Sequence, residues 1–301
     1  EETLAEVAQI DANIKQESSS RRDLSNHLVI TIDGADAKDL DDAIRVEKLG
    51  NGNTLLGVYI ADVAHYVRAR QPLDQEALLR GTSVYLADRV IPMLPHRLSN
   101  DLCSLNPNEK KLVMACEMEI NHEGEVVSKD IFEAVITSRY RMTYTEVEEI
   151  LKGKQHKDIE LQKAIMQMQK LSKTLNGMRT KRGALDFDVR ESKLEVNAQG
   201  MVTDVYYRKR LESEKIIEEF MLIANETVAE TIFWLELPFI YRVHEDPKEE
   251  KLKKFLTISK NLGYPIQSKG KKVTPKALQE LLGRIKEEDK GLNVLLVRMM
   301  A

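Results

Sequence analysis

The chain has 301 residues, with 49 acidic side chains against 45 Lys and Arg, a formal net charge of −4 and two cysteines. That length suits one large domain or two ordinary ones, and a hydrophobic content of 42% fits a globular fold. No apolar run reaches bilayer length, no signal peptide is visible, and Cys103 and Cys116 make neither a disulfide framework nor a zinc pattern, so the cytoplasm is the expected compartment. The acidic balance counts against a nucleic-acid binder, which usually carries a basic face, without excluding one.

Residues 1–26 are polar and read as a linker or N-terminal extension, with a short helix near 4–10. The chain starts without methionine and ends, Leu296-Val297-Arg298-Met299-Met300-Ala301, inside a helix-like pattern, which reads as a fragment of a longer protein. Residues 27–301 form one domain whose first element is Leu28-Val29-Ile30-Thr31-Ile32, a β-branched run expected to be a buried strand. Directly after it come Asp33, Asp36, Asp39, Asp41 and Asp42, with only Lys38 to offset them.

Clustered carboxylates repel by ~1 kcal/mol per pair in water at 4 Å, and by ~4 kcal/mol at a surface-like dielectric. An acidic run in solvent tolerates this. Beside a core, with Leu40 and Ala43-Ile44 packed, the charge must be neutralised by protons or by cations. Aspartate oxygens are the ligand set of hard divalent ions, so Mg²⁺, with Mn²⁺ as the other candidate, is the expected cofactor. In an extended segment Asp39 and Asp41 face one side and Asp42 the other, so the carboxylates share a centre only if the backbone turns; Gly34 permits such a bend. An EF-hand is a poor fit, because counting from Asp39 its Gly and Glu positions hold Ile44 and Gly50.

Residues 55–67 read as a buried strand in which His65 is structural. Residues 72–81 read as a short helix with Pro72 at its start and Gly81 after its end. An extended stretch over 81–95 carries Tyr85, and 98–105 is compact, with an Asn100-Asp101 pair. Residues 111–120 and 125–138 read as a hairpin around Asn121-His122-Glu123-Gly124. Helices are expected over 145–151 and 158–178, the second amphipathic through Ile159, Ile165, Met168, Leu171 and Leu175. The methionines read as core filler. Lys173, Arg179, Lys181 and Arg182 end that helix as a solvated basic face or a phosphate contact just before Phe187. A second hairpin (185–196 and 202–207), a helix over 213–235, a short strand over 239–244 and further helices around a 263–275 loop complete the chain. The fold class is α+β, a mixed or antiparallel sheet surrounded by helices.

Asp33-Gly34-Ala35-Asp36-Ala37-Lys38-Asp39-Leu40-Asp41-Asp42-Ala43 resembles the signature of the catalytic, RNB-type domain of the ribonuclease II/ribonuclease R family. Gly57-Val58-Tyr59-Ile60-Ala61-Asp62-Val63, Leu98-Ser99-Asn100-Asp101-Leu102-Cys103-Ser104-Leu105 and Ile216-Ile217-Glu218-Glu219-Phe220-Met221 follow in the family's order, and the bacterial ribonuclease R branch is nearest. The resemblance implies a divalent-metal-dependent, processive 3′→5′ exoribonuclease acting on single-stranded RNA and releasing nucleoside 5′-monophosphates. It implies Asp33, Asp39, Asp41 and Asp42 as catalytic metal ligands, with Asp41 closest to the chemical step and Asp36 less directly involved. Tyr85 and Phe187 match the aromatic clamp on stacked bases, Tyr144 a tyrosine near the scissile phosphate, and Glu219 a glutamate that positions the terminal nucleotide. Without the family, Tyr85 and Phe187 read as core and the Glu218-Glu219 pair as a solvated helix face.

The implied partners are an RNA 3′ end, cold-shock-type and S1-type domains of the same protein, and the ribosome or the RNA-decay machinery, with no membrane. An arginine that completes the family site, in a Thr-Ser-Pro-Ile-Arg-type segment, is absent from this sequence. The domain is therefore expected to be incomplete at its C-terminal side. A catalytically incomplete RNA-binding module of the same fold is the alternative.

Overall fold

The computed structural model describes residues 2–10, 19–86, 89–184, 191–197, 201–243, 248–266 and 273–288. A helix, α1 (Glu2–Gln9), and a two-residue strand, β1 (Arg22–Asp23), lead to β2 (Val29–Asp33), β3 (Asp42–Lys48) and β4 (Thr54–Ala61). One helical turn, α2 (Val63–Tyr66), the helix α3 (Pro72–Arg80), and the short strands β5 (Val84–Tyr85) and β6 (Val90–Ile91) follow. A π-helical turn over Leu98–Leu102 precedes β7 (Lys110–Ile120) and the 18-residue β8 (Val126–Thr143). Next come α4 (Tyr144–Leu151), α5 (Ile159–Arg182), the hairpin β9 (Glu191–Val196) and β10 (Val202–Arg208), and α6 (Glu212–Trp234). The last described elements are α7 (Glu249–Asn261) and α8 (Pro275–Glu288). No helix among the described residues is long and apolar enough to cross a membrane.

The main sheet is mixed and curls on itself. β2, β3, β4 and β7 pair antiparallel in sequence order. The first two-thirds of β8 pair antiparallel with β7, while its last residues pair parallel with β2 and, at Ala134 and Val135, with β1. β8 thus closes the circuit from β7 back to β2. Alternation along each strand serves two cores. Ile30, Ile44, Leu56, Val58 and Met118 pack on α4, α5 and α6 through Val147, Ile165, Leu171 and Phe220. Val29, Ala43, Tyr59, Ala115 and Ile136 face the other way, onto Leu24, Leu73, Leu98 and Leu105. Truncating a fully buried member such as Ile30 to Ala costs about 2–5 kcal/mol.

Local signals explain the ends of the elements. Thr143 and Glu146 form a reciprocal capping box on α4, and Asp158 accepts from the Glu160 and Leu161 amides at the start of α5. α5 runs past the expected 178 to Arg182 and stops at Gly183, whose φ of 100° suits glycine. The strand read over 55–67 ends at Ala61, because the Asp62 side chain accepts from the His65 amide and turns the chain into α2. His65 there stands edge-on to Tyr66, with ring centroids 4.8 Å apart.

The strand read over 239–244 is corrected over its described residues, 239–243, and position 244 lies outside them. Residues 239–243 are irregular and exposed, with no partner strand among the described residues. Within the segment read as a linker, Val7 and Leu24 are buried in the second core, and Arg97 donates to the Val7 and Ile10 carbonyls at the end of α1. Of the second hairpin, residues 185–190 lie outside the described residues, as does Phe187.

Candidate metal and RNA site

The acidic loop joins β2 to β3. β2 and β3 pair antiparallel with Ile30 opposite Ile44; Asp33 is the last residue of β2 and Asp42 the first of β3. Loop residues between them form a turn, the Ala37 amide donating to the Gly34 carbonyl at 3.2 Å. Neighbouring elements hold this loop in place. Ser104 Oγ accepts from the Leu40 amide and donates to the Lys38 carbonyl, both at 3.1 Å. The Leu105 amide reaches the Leu40 carbonyl at 2.8 Å, and the Ala61 amide of β4 reaches the Asp41 carbonyl at 2.9 Å. From β8, Arg141 donates to the Ala35 and Ala37 carbonyls at 3.3 and 2.6 Å. Leu40 is buried in the second core, so the loop is anchored by an apolar side chain at its centre.

The carboxylates interact strongly with one another. Burial raises the Asp33 pKa, and Asp39 and Asp36 raise it further, against a bond from the Gly34 amide and the positive field of Arg141. Asp41 is exposed as a residue, and its pKa is raised by partial desolvation of the carboxylate, then by Asp39 and Asp33. Asp42 is pushed up to about 6 by burial, then by Asp33 and Asp41. Its Oδ2 is sealed from solvent and has no hydrogen-bond partner. A buried acceptor left unsatisfied costs roughly 1–3 kcal/mol, more if charged. This orphaned oxygen, within an all-oxygen donor set, fits a hard divalent cation. As the side chains stand, no three His, Cys, Asp or Glu among the described residues converge closely enough to hold one ion.

Asp36, Asp39 and Asp41 line a cleft of about 640 Å³, whose far wall includes Tyr85. Tyr85 is 70% exposed at the end of β5, where it pairs with Val90 of β6, so it is not core. Cys103, at the cleft lining, is buried, and its thiol is raised to about 12 by burial and then by Asp41. Tyr144 opens α4 one residue after Thr143, which lies opposite Asp33 in the β2–β8 pairing; its side chain packs against the helix-side core.

Glu219 is placed elsewhere. It is 3% exposed, and it accepts from Arg179 Nε and Nη2 at 2.8 and 2.7 Å and from Asn176 Nδ2 at 2.8 Å. These bonds tie α6 to α5, and Glu219 does not line the cleft. Sequence reasoning missed the loop's holders. Ser104 had a signal, as a serine inside the compact 98–105 segment; Arg141 had none, since its partners are backbone carbonyls more than 100 residues away.

The comparisons agree with this architecture. Ribonuclease R of Thermotoga maritima is 47% identical across 100% of this chain and 43% of its own length. Ribonuclease R 1 of Lactococcus lactis is 44% identical across 95% of this chain and 36% of its own. A solved structure of Mycoplasma genitalium RNase R, in complex with ribose methylated single-stranded RNA, superposes with a TM-score of 0.92 at 30% identity, covering 100% of this chain and 47% of that one. The chain thus spans less than half the length of these relatives. The RNB domain model matches residues 21–301, and the chain belongs to the RNB domain family.

Proposed function

We propose that this domain serves a hydrolytic 3′→5′ exoribonuclease that shortens single-stranded RNA stepwise and releases nucleoside 5′-monophosphates. The observation that carries this reading is the mutually destabilised set Asp33, Asp41 and Asp42, with one orphaned oxygen, beside the cleft that presents an exposed Tyr85. The ribonuclease R relatives and the RNA-bound neighbour support it.

Asp33, Asp39, Asp41 and Asp42 are the residues that would hold divalent ions, Mg²⁺ or Mn²⁺. When bound, such ions polarise a water and offset charge on the phosphoryl oxygens. Asp41 is the residue assigned closest to the reacting phosphate, and Asp36 lines the same cleft. Tyr85 offers its ring face to a base, a contact worth roughly 1–3 kcal/mol that reads no sequence. Tyr144 stands at the β2 end of the site. Phe187, the second member of the proposed clamp, lies outside the described residues. Flanking cold-shock-type and S1-type domains and the RNA-decay machinery belong to the same proposal.

A labelled-RNA ladder assay tests it. Mg²⁺-stimulated shortening by the wild type, lost by at least about 100-fold in Asp41→Asn, is the expected result; equal degradation by the variant defeats the assignment. A second reading, an RNA-binding module without turnover, is favoured by the open arrangement of the acidic side chains. It predicts RNA binding with no product at any Mg²⁺ concentration.

A further inference from the structure

A strand lying between Tyr85 and the aspartates brings one phosphate per nucleotide against an acidic wall. Among the described residues Lys38 is the one Lys or Arg that lines this cleft. It is exposed and makes no ion pair with any described residue, although Asp36 and Asp39 flank it. Its main chain is fixed by the Ser104 hydroxyl on its carbonyl, so the base of the side chain is positioned while the ammonium stays available.

The turn over Leu98–Leu102 supplies a second group. The Cys103 amide reaches back five residues to the Leu98 carbonyl at 2.9 Å, a π-type bond. Such turns are uncommon and recur at functional sites. Here it buries Leu98 and Leu102 and leaves Ser99 and Asn100 lining the cleft. Ser99 Oγ donates to Asn100 Oδ1 at 2.7 Å, which leaves the Asn100 Nδ2 hydrogens without a partner among the described residues. An oriented amide donor and an unpaired ammonium around one cleft match the chemistry of a phosphodiester backbone.

We infer that Lys38 and Asn100 hold the phosphodiester backbone of a nucleic-acid strand in this cleft, Lys38 by charge and Asn100 by a neutral N–H bond. This rests on the RNA reading above and adds residues to it. Neutralising a phosphate releases a counterion, and a neutral donor does not, so the two contributions separate by salt dependence.

The test is fluorescence anisotropy of a labelled single-stranded oligoadenylate with this chain in EDTA, across a KCl series, with melting temperatures as a folding control. Lys38→Ala should weaken binding and reduce the slope of log Kd against log salt by about 0.7, and Lys38→Arg should restore it. Asn100→Ala should weaken binding about tenfold with the slope unchanged. Wild-type slope and affinity in Lys38→Ala, or wild-type affinity in Asn100→Ala, overturns the assignment of that residue. Failure of the wild type to bind at any salt overturns the RNA reading and this inference together.

Discussion

Glu219 is a buried carboxylate and Asp42 a half-buried one with a sealed oxygen, and the two have opposite surroundings. Glu219 lies between two helices with a bidentate guanidinium and an amide on its oxygens. Asp42 begins β3 among other carboxylates, its pKa pushed to about 6 and one oxygen bonded to nothing. The first is a solved electrostatic problem and so a structural joint. The second is unsolved by the protein's own groups among the described residues, an arrangement of the kind that clusters at functional sites. Burial alone does not separate these roles; the partner set does.

The contrast can be broken from either side. The largest effect is expected at the joint: Glu219→Ala leaves Arg179 beside a helix interface without its partner and should cost about 3–5 kcal/mol in urea unfolding. A loss below about 1 kcal/mol would show that the pair is not what ties α6 to α5.

The loop should respond with the opposite sign. Because the Asp42 pKa is raised in the fold, its stabilising contribution is complete below about pH 4 and disappears as pH rises through about 6. In EDTA the wild type should therefore lose on the order of 3 kcal/mol between pH 4 and pH 7.5 through this group. Asp42→Asn should flatten that profile and be the more stable protein at pH 7.5. Parallel pH profiles for the two would remove the electrostatic argument. Smaller still, Ser104→Ala strips the Leu40 amide of its acceptor and should cost about 1–2 kcal/mol by thermal melting.

Legibility in the sequence followed the range of each interaction. The β-branched run before Asp33 and the Pro72 start and Gly81 stop are local signals, and their elements stand where the sequence places them; the helix expected over 158–178 carries on to Arg182 before the Gly183 stop. Asp62 is a local stop signal inside an apolar run, and it ends the strand expected over 55–67 at Ala61. Residues 239–243 had a strand's composition, but a strand also needs a neighbour. The Ser104 bridge to Leu40 and the Arg179–Glu219 pair join residues 64 and 40 positions apart, which no pattern along one chain encodes. Tyr85 shows a further limit, since composition made it core and only the family resemblance put it in a cleft.

Calorimetric titration of Mn²⁺ into the wild type, Asp41→Asn and Asp42→Asn at pH 7.5 tests the central claim most directly. Saturable binding by the wild type, weakened at least about tenfold in each variant, is the result predicted from carboxylate ligation. Equal binding by all three proteins, or none by the wild type, would contradict a cation site in the β2–β3 loop.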